Sequence, residues 1–346
     1  MKGRILAVAG LLAAAATSVQ AQASSCPQGG DANTIAGARA NVVRDACIMG
    51  SDVFQLLGPQ LGLALAGGNA TLGQGGTLGG FPHFVISARG NVLAGDLPDF
   101  AEFPAPRSEQ NPPARVLPSN TQLIGMPVVD AAIGVFKGLP LGLTNVGGVD
   151  LLVSAAYVPK IGGEGDDFRI EPENPLQLGF GARVGLLQES LLAPGVSVTY
   201  IQRSLPTTDI FGRSNPIDLD IVDASFKTRA WRVVASKSLL LFGLAAGVGQ
   251  DNYDMSTTIS GTARATVDVA GVPVPVSEAF GPVNLSQKMT RTNMFLDASM
   301  NLPFIRIVGE VGRASGGEIT DMVNSFSGGE GNQPRIYGSV GIRFGI

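Results

Sequence analysis

The one histidine of the chain, His83, stands four residues before Ser87 in a stretch that alternates apolar and polar side chains. A histidine that activates a serine is the pattern of a hydrolase. Residues four apart on a strand lie about 13 Å from each other, however, too far to share a proton. A serine from another strand, Ser154 or Ser197, would have to approach. A lipid hydrolase using His83 therefore ranks third among the functional readings, no catalytic residue is assigned, and the chain is expected to be no enzyme.

Other chemistry-bearing patterns are weaker. Gly162-Gly163-Glu164-Gly165-Asp166-Asp167 nearly reproduces a calcium-binding repeat, but it stands alone and carries Arg169 at the apolar position, as a solvated external loop would. Gly328-Gly329-Glu330-Gly331 echoes it. Paired glycines such as Gly179 and Gly181 are followed by no strand-to-helix change, and neither a phosphate-binding loop nor a nucleophile elbow occurs. No metal site and no cofactor is expected. Cys26 and Cys47 are the only cysteines and are expected to form a disulfide in an oxidising compartment.

The remaining candidates are charges, and what they do depends on the elements that hold them. Lys2 and Arg4 precede an apolar run, Ile5 to Ala16, too short for a membrane helix, and Ala21-Gln22-Ala23 supplies a cleavage site. Residues 1–23 thus read as a signal peptide. A lipoprotein anchor on Cys26 would need a better box than Ala23-Ser24-Ser25. Without Lys2 and Arg4 the chain holds 22 basic against 28 acidic residues, which argues against nucleic acid as a partner.

The chain is 45% hydrophobic, yet after the leader it has no apolar run approaching the length of a membrane helix. Alternation decides what kind of wall this makes. Leu176, Leu178, Phe180, Ala182, Val184 and Leu186 oppose Gln177, Gly179, Gly181, Arg183 and Gly185, a separation only a strand produces. Phe84, Ile86, Ala88, Gly90 and Val92 likewise oppose His83, Ser87, Arg89 and Asn91, and similar stretches run over 149–157, 240–249 and 293–301. Long polar connections at 96–121, 160–175, 206–216, 251–283 and 316–333 alternate with short turns, the asymmetry of an outer-membrane barrel. Ten strands are predicted, beginning near 83, 122, 148, 176, 195, 217, 239, 284, 303 and 334, with both chain ends at the periplasmic rim. The segment Gln60 to Phe81 could add a pair, so the expected fold is an all-β antiparallel transmembrane barrel of about 12 strands, between 10 and 14. Residues 255–281 read as a hairpin above the membrane or as two more wall strands. Phe81, Phe136, Tyr157, Tyr200, Trp231, Tyr253, Phe304 and Tyr337 are candidates for sparse interfacial belts.

Residues 24–58 read as a short helical segment, one or two helices capped by Asp31 or Asn33, acting as a plug or collar or merely settling the first strand; 59–346 is the barrel.

The last strand, with Ser339, Gly341, Phe344 and Ile346 at the marked positions, resembles the terminal signal by which Gram-negative outer-membrane barrels are recognised for insertion. It ends in Ile346 where many members end in Phe. The order of leader, helical piece and glycine-rich barrel also resembles the fatty-acid transporter group and uncharacterised barrel families. The resemblance implies the outer membrane as location, with its lipids and its insertion machinery as partners.

In such a wall His83, Arg89, Asn91, Asp130, Asp150, Arg183, Arg203, Asp297, Arg306, Glu310, Arg335 and Arg343 are expected to line the lumen, because charge facing lipid costs several kcal/mol. The leading functional reading is a channel or transporter for small solutes, hydrophobic ones among them. The alternative is a sealed structural or surface-interaction barrel that acts through its external loops.

Overall fold

The computed structural model describes residues 25–345 except 143, 164, 270, 320 and 321; residues 1–24, with the expected leader 1–23, and Ile346 lie outside the described residues. Ten antiparallel strands close a ring: β1 (Phe84–Pro98), β2 (Ser119–Phe136), β3 (Val149–Tyr157), β4 (Leu176–Leu187), β5 (Gly195–Ser204), β6 (Ile217–Leu239), β7 (Phe242–Val269), β8 (Val272–Asn301), β9 (Ile305–Ala314) and β10 (Arg335–Gly345). Each pairs with its successor, and β10 returns to β1 from Val85 opposite Gly345 to Leu93 opposite Tyr337. Two short strands, Thr208–Arg213 and Phe168–Pro172, extend the sheet from the upper part of β6 and bring it to twelve. Among the described residues no helix is long and apolar enough to cross a membrane.

The observed starts follow the alternation closely except for β8, which begins at Val272. Residues 255–281 form a hairpin, the first of the two expected arrangements, and add no further wall strands: its arms continue β7 and β8, which reach 28 and 30 residues. The segment Gln60 to Phe81 supplies no strand pair. Its first part is helix, and its remainder descends inside the ring, where an apolar, glycine-rich chain is enclosed by protein instead of facing lipid.

Alternation places the apolar side chains outward. Ile86, Leu151, Phe180, Val184, Leu244, Leu296, Val311 and Val340 are exposed on the outer face, while Ser87, Arg89, Asp150, Arg183 and Asp297 on the same strands are buried inside. Tyr253 and Tyr337 are buried in the interior and belong to no belt; Phe81, Phe136 and Phe304 are exposed near the rim that carries the short turns.

The ring is occupied. Helix α1 (Ile35–Ala66) starts at Thr34, whose side chain, and not that of Asp31 or Asn33, accepts from the Gly37 N–H at 3.1 Å. It runs eight residues beyond the boundary at 58, through Pro59. Pro59 removes one backbone donor, yet the helix continues because Gln60 pins the next turn. Its amide donates to the Leu56 carbonyl at 2.7 Å and to the Asp96 carbonyl at 3.0 Å, and its oxygen accepts from the Asp96 N–H at 2.6 Å. The upper part of α1 lies in an apolar sleeve made by β6, β7 and β8, where Gly50 faces Leu219 and Ile259, and Gly58 faces Met255 and Phe226. Small residues there let helix and wall approach closely.

Only the strand ends obey the rule that both termini lie at the turn rim. The helix carries residues 25–34 to the opposite, loop-bearing rim, where Asn41 donates to the Ser108 carbonyl and Arg39 meets Glu278 of the long hairpin. Cys26 and Cys47 are disulfide-bonded there, closing a loop of sequence separation 21 that stabilises by roughly 3 kcal/mol in the chain-entropy account.

Candidate functional site in the barrel lumen

The helix ends where the wall turns basic. Gly67, with φ of 56°, caps α1 in a conformation that side-chain-bearing residues rarely adopt. The last turn exposes carbonyls with partial negative charge, and α1 has no basic residue of its own there. The barrel provides the cations. Arg203 donates to the Ala66 carbonyl at 2.7 Å, Arg232 to those of Gly67 and Gly68 at 3.1 and 3.3 Å, and Arg89 to that of Asn69 at 2.8 Å. Asn91 adds a bond to Ala64 at 2.9 Å.

These arginines also neutralise one another's surroundings across the wall. Asp130 on β2 stands between Arg89 of β1, at 3.1 Å, and Arg203 of β5, at 3.0 Å. Arg183 binds Asp150 at 2.6 Å, Arg232 binds Asp251 at 2.6 Å, and Arg335 binds Asp96 at 2.7 Å. The first three groups have almost no solvent exposure, so their ions survive only because each has a partner and further hydrogen bonds.

Below the helix, Gly67 to Gly80 threads the part of the ring surrounded by the apolar outer belt. Asn69 is the knot of this stretch: its N–H donates to Glu310 at 2.7 Å and its side-chain amide to Asp297 at 2.8 Å. Asp297 also accepts from the Gly73 N–H at 3.0 Å, Asp150 accepts from the Leu78 N–H at 3.1 Å, and Arg183 reaches the Thr71 hydroxyl. The chain touches the wall backbone to backbone. A Cβ on Gly75 would stand 2.6 Å from the Ala235 carbonyl carbon and the Ser236 nitrogen, and one on Gly134 would stand 2.7 Å from the Gly80 carbonyl oxygen. Glycine on both sides is what lets so narrow a ring hold another strand of chain.

Of the residues expected to line the lumen, Arg89, Asn91, Asp130, Asp150, Arg183, Arg203, Asp297, Glu310 and Arg335 are buried inside, and Arg306 and Arg343 are half-buried near the turn rim. His83 is set apart: it is exposed at that rim, with Nδ1 2.9 Å from the Gly80 carbonyl oxygen. It makes no hydrogen bond with Ser87, Ser154 or Ser197, and the Ser154 hydroxyl instead accepts from Arg203. Sequence reasoning missed Gln60, Asn69, Thr71, Arg232, Asp251 and Asn293. For Arg232 and Asp251 the signal was present, since both continue the wet face of a strand, but Asp251 had been assigned to a loop.

Above the belt, Asp52 of α1 fastens the connection between β9 and β10, accepting from the Val323 and Asn324 N–H groups at 3.0 and 2.9 Å and from the Asn324 amide at 2.8 Å. Burial pushes its carboxyl up to about 7 against these lowering hydrogen bonds, and the nearby Asp45 pushes the same way. Asp45 itself is held by Arg115 and Arg107. A raised carboxylate pKa means that the docked loop binds more protons than the released one, so docking weakens as pH climbs from about 4 to about 7 and is flat above. Exchange protection of the Val323 and Asn324 amides, corrected for intrinsic rates, is expected to fall roughly tenfold or more from pH 5 to pH 8. Asp52→Asn should remove that dependence, and an unchanged slope in the variant would assign it elsewhere.

No family model and no curated protein matches the chain. Among solved structures it is similar to the transport unit of the autotransporter AIDA-I from Escherichia coli, at 8% identity and a TM-score of 0.30, covering 76% of this chain and 89% of that one. It is similar also to an anion-selective porin from Comamonas acidovorans (11% identity, TM-score 0.18, 76% and 98% covered) and to OmpT of Vibrio cholerae (9%, 0.16, 76% and 97%). The neighbours are outer-membrane barrels, the group that the terminal strand resembles; at these scores the likeness assigns no work to this chain. The expectation that the chain is no enzyme is corrected: OmpT of Vibrio cholerae stands among the similar barrels, and a barrel wall by itself does not exclude catalysis.

Proposed function

We propose that this chain is an outer-membrane channel for small solutes that rests closed, stoppered by its own residues 25–83. In this reading residues 1–23 direct export, the strand ending at Ile346 is read by the insertion machinery, and the apolar outer face meets membrane lipid. The observation that carries it is how the lumen charges are paired. Asp130 with Arg89 and Arg203, Asp150 with Arg183, and Asp251 with Arg232 are all pairs of wall with wall. Toward these pairs the stopper only adds hydrogen bonds to groups already neutralised, whereas Asp297 and Glu310, held through Asn69 and Gly73, and Arg306 and Arg343, which donate to the Gly73 and Leu72 carbonyls, lose partners when it leaves. A permanent core element would be expected to carry the countercharges itself. The wet, largely ion-paired face left behind suits small polar solutes and the polar ends of hydrophobic ones.

The test is planar-bilayer recording combined with liposome swelling. Wild-type protein should carry little steady current, with brief openings, and Asn69→Ala with Thr71→Ala should lengthen them. Folded protein in which neither form ever conducts or admits solute would remove the channel reading.

A second reading, a surface-interaction barrel, is favoured by the body above the belt. There α1, the extended β6 to β8 and the disulfide-tied N-terminus form an apolar core of their own, including Phe54, Phe226, Met255 and Ile259. Under that reading shortening an external loop abolishes partner binding without altering the barrel.

A further inference from the structure

At the turn rim the wall departs from its own habit. Arg89, Arg183, Arg203, Arg232 and Arg335 each meet a carboxylate, and the fully buried Arg291 of β8 is taken up by the Gly331 and Gln333 carbonyls. Arg306 of β9 and Arg343 of β10 are register partners, side by side on the inner face, and neither meets a carboxylate. Arg306 donates to the Gly73 carbonyl at 3.3 Å; Arg343 donates to the Leu72 carbonyl at 3.4 Å and to the Gln74 side-chain oxygen. Of the carboxylates that act on the pair, Glu189 is engaged by the Ser236 hydroxyl and the Ser238 N–H, and Asp150 by Arg183. Two adjacent guanidiniums repel, and neutral carbonyls only partly relieve that repulsion, so the pair is left short of an anion.

The space for one is beside them. A cavity of about 300 Å³ opens at this rim, lined by Arg306, Arg343, Gln74, Gln188, Asn301 and His83. Planar guanidiniums with several N–H donors match the oxygens of a phosphate group, and amide side chains add neutral donors. The mouth is bordered by Phe84 and Phe304, which are 40% and 87% exposed, so it lies at the height where a lipid headgroup would sit as well as at the aqueous entrance.

We propose that this cavity is a binding site for a phosphate group, with Arg306 and Arg343 as its principal ligands. The site stands apart from the channel reading, since it is formed while the lumen is closed. The phosphate would come from a small phosphomonoester in solution or from the headgroup of an anionic phospholipid.

Calorimetric titration of the full chain in zwitterionic detergent, with inorganic phosphate and glycerol 3-phosphate at fixed ionic strength against chloride, addresses the first source. Native mass spectrometry after reconstitution with phosphatidylglycerol or phosphatidylcholine addresses the second. Saturable binding of phosphate, or retention of phosphatidylglycerol alone, is expected, and which of the two occurs identifies the source. Arg306→Gln should weaken it at least about tenfold. Gln74→Glu offers Arg343 an internal carboxylate in place of a bond already made, and should suppress binding while leaving the barrel at least as stable. Heat-dependent gel mobility reports whether each variant is folded. Binding no stronger than in chloride and phosphatidylcholine, or undiminished in both variants, overturns the proposal.

Discussion

Asp130→Ala is expected to lower the unfolding stability of the barrel by about 3–5 kcal/mol, the usual consequence of leaving buried charge without its partner. The carboxylate serves two arginines at once, Arg89 at 3.1 Å and Arg203 at 3.0 Å, and all three side chains are at most 4% exposed. Without it two cations face each other inside the ring while still holding the Asn69 and Ala66 carbonyls. Asp130→Asn keeps hydrogen-bonding atoms without the charge and should fall between. Pairing Asp130→Ala with Arg89→Met removes one stranded cation and should recover part of the loss. The exposed pair Arg213 and Asp220 is the control: its side chains are 38% and 33% exposed, so Asp220→Ala should cost under about 1 kcal/mol. Urea midpoints in a lipid-like environment measure all four. An Asp130→Ala midpoint close to that of Asp220→Ala would mean that water reaches the pair and that the lumen is wetter than its burial implies.

The wall was legible because its physics is local. A period of two residues separates Arg183 from Val184 and Asp150 from Leu151 whatever the rest of the chain does, and the alternation of long and short connections orients the ring. The lumen contents were less legible. Gly67 to Gly80 has no period, since a chain surrounded on all sides has no preferred face, and its glycines resemble those of a hairpin. The helical segment is expected to end at 58, but the bonds that carry α1 past Pro59 come from Gln60 to Asp96, a partner 36 residues away. Countercharge relations such as Arg232 with Asp251 depend on strand register, and Asp251 lay beyond the stretch recognised as wall. That the N-terminus reaches the loop rim could not follow from counting strands, because the element that carries it there is not one.

Gly75→Val is expected to convert a closed barrel into a conducting one. The new side chain would point at wall backbone, 2.6 Å from the Ala235 carbonyl carbon and the Ser236 nitrogen, and β6 at this height is paired on both sides and cannot yield. Overpacking of this kind costs about 1–3 kcal/mol where neighbours can shift, and more where the neighbour is sheet backbone. The substitution lies on the stopper, so strand pairing and the wall-to-wall ion pairs remain intact and the ring should still form. The strain acts on Asn69, Gly73 and Leu78, whose hydrogen bonds to Glu310, Asp297 and Asp150 hold the thread in place. Since each bond to a charged group contributes only about 1.5–3 kcal/mol, losing two of them with the added overlap should raise the displaced population by roughly two orders of magnitude or more. Single-channel recording would then show frequent, long openings, and a cysteine-reactive probe should reach a cysteine placed at Ser197 on the inner wall in the Gly75→Val background alone. A variant that folds, stays silent and keeps that site shielded would make the thread a permanent core element, and the sealed-barrel reading would take the place of the channel.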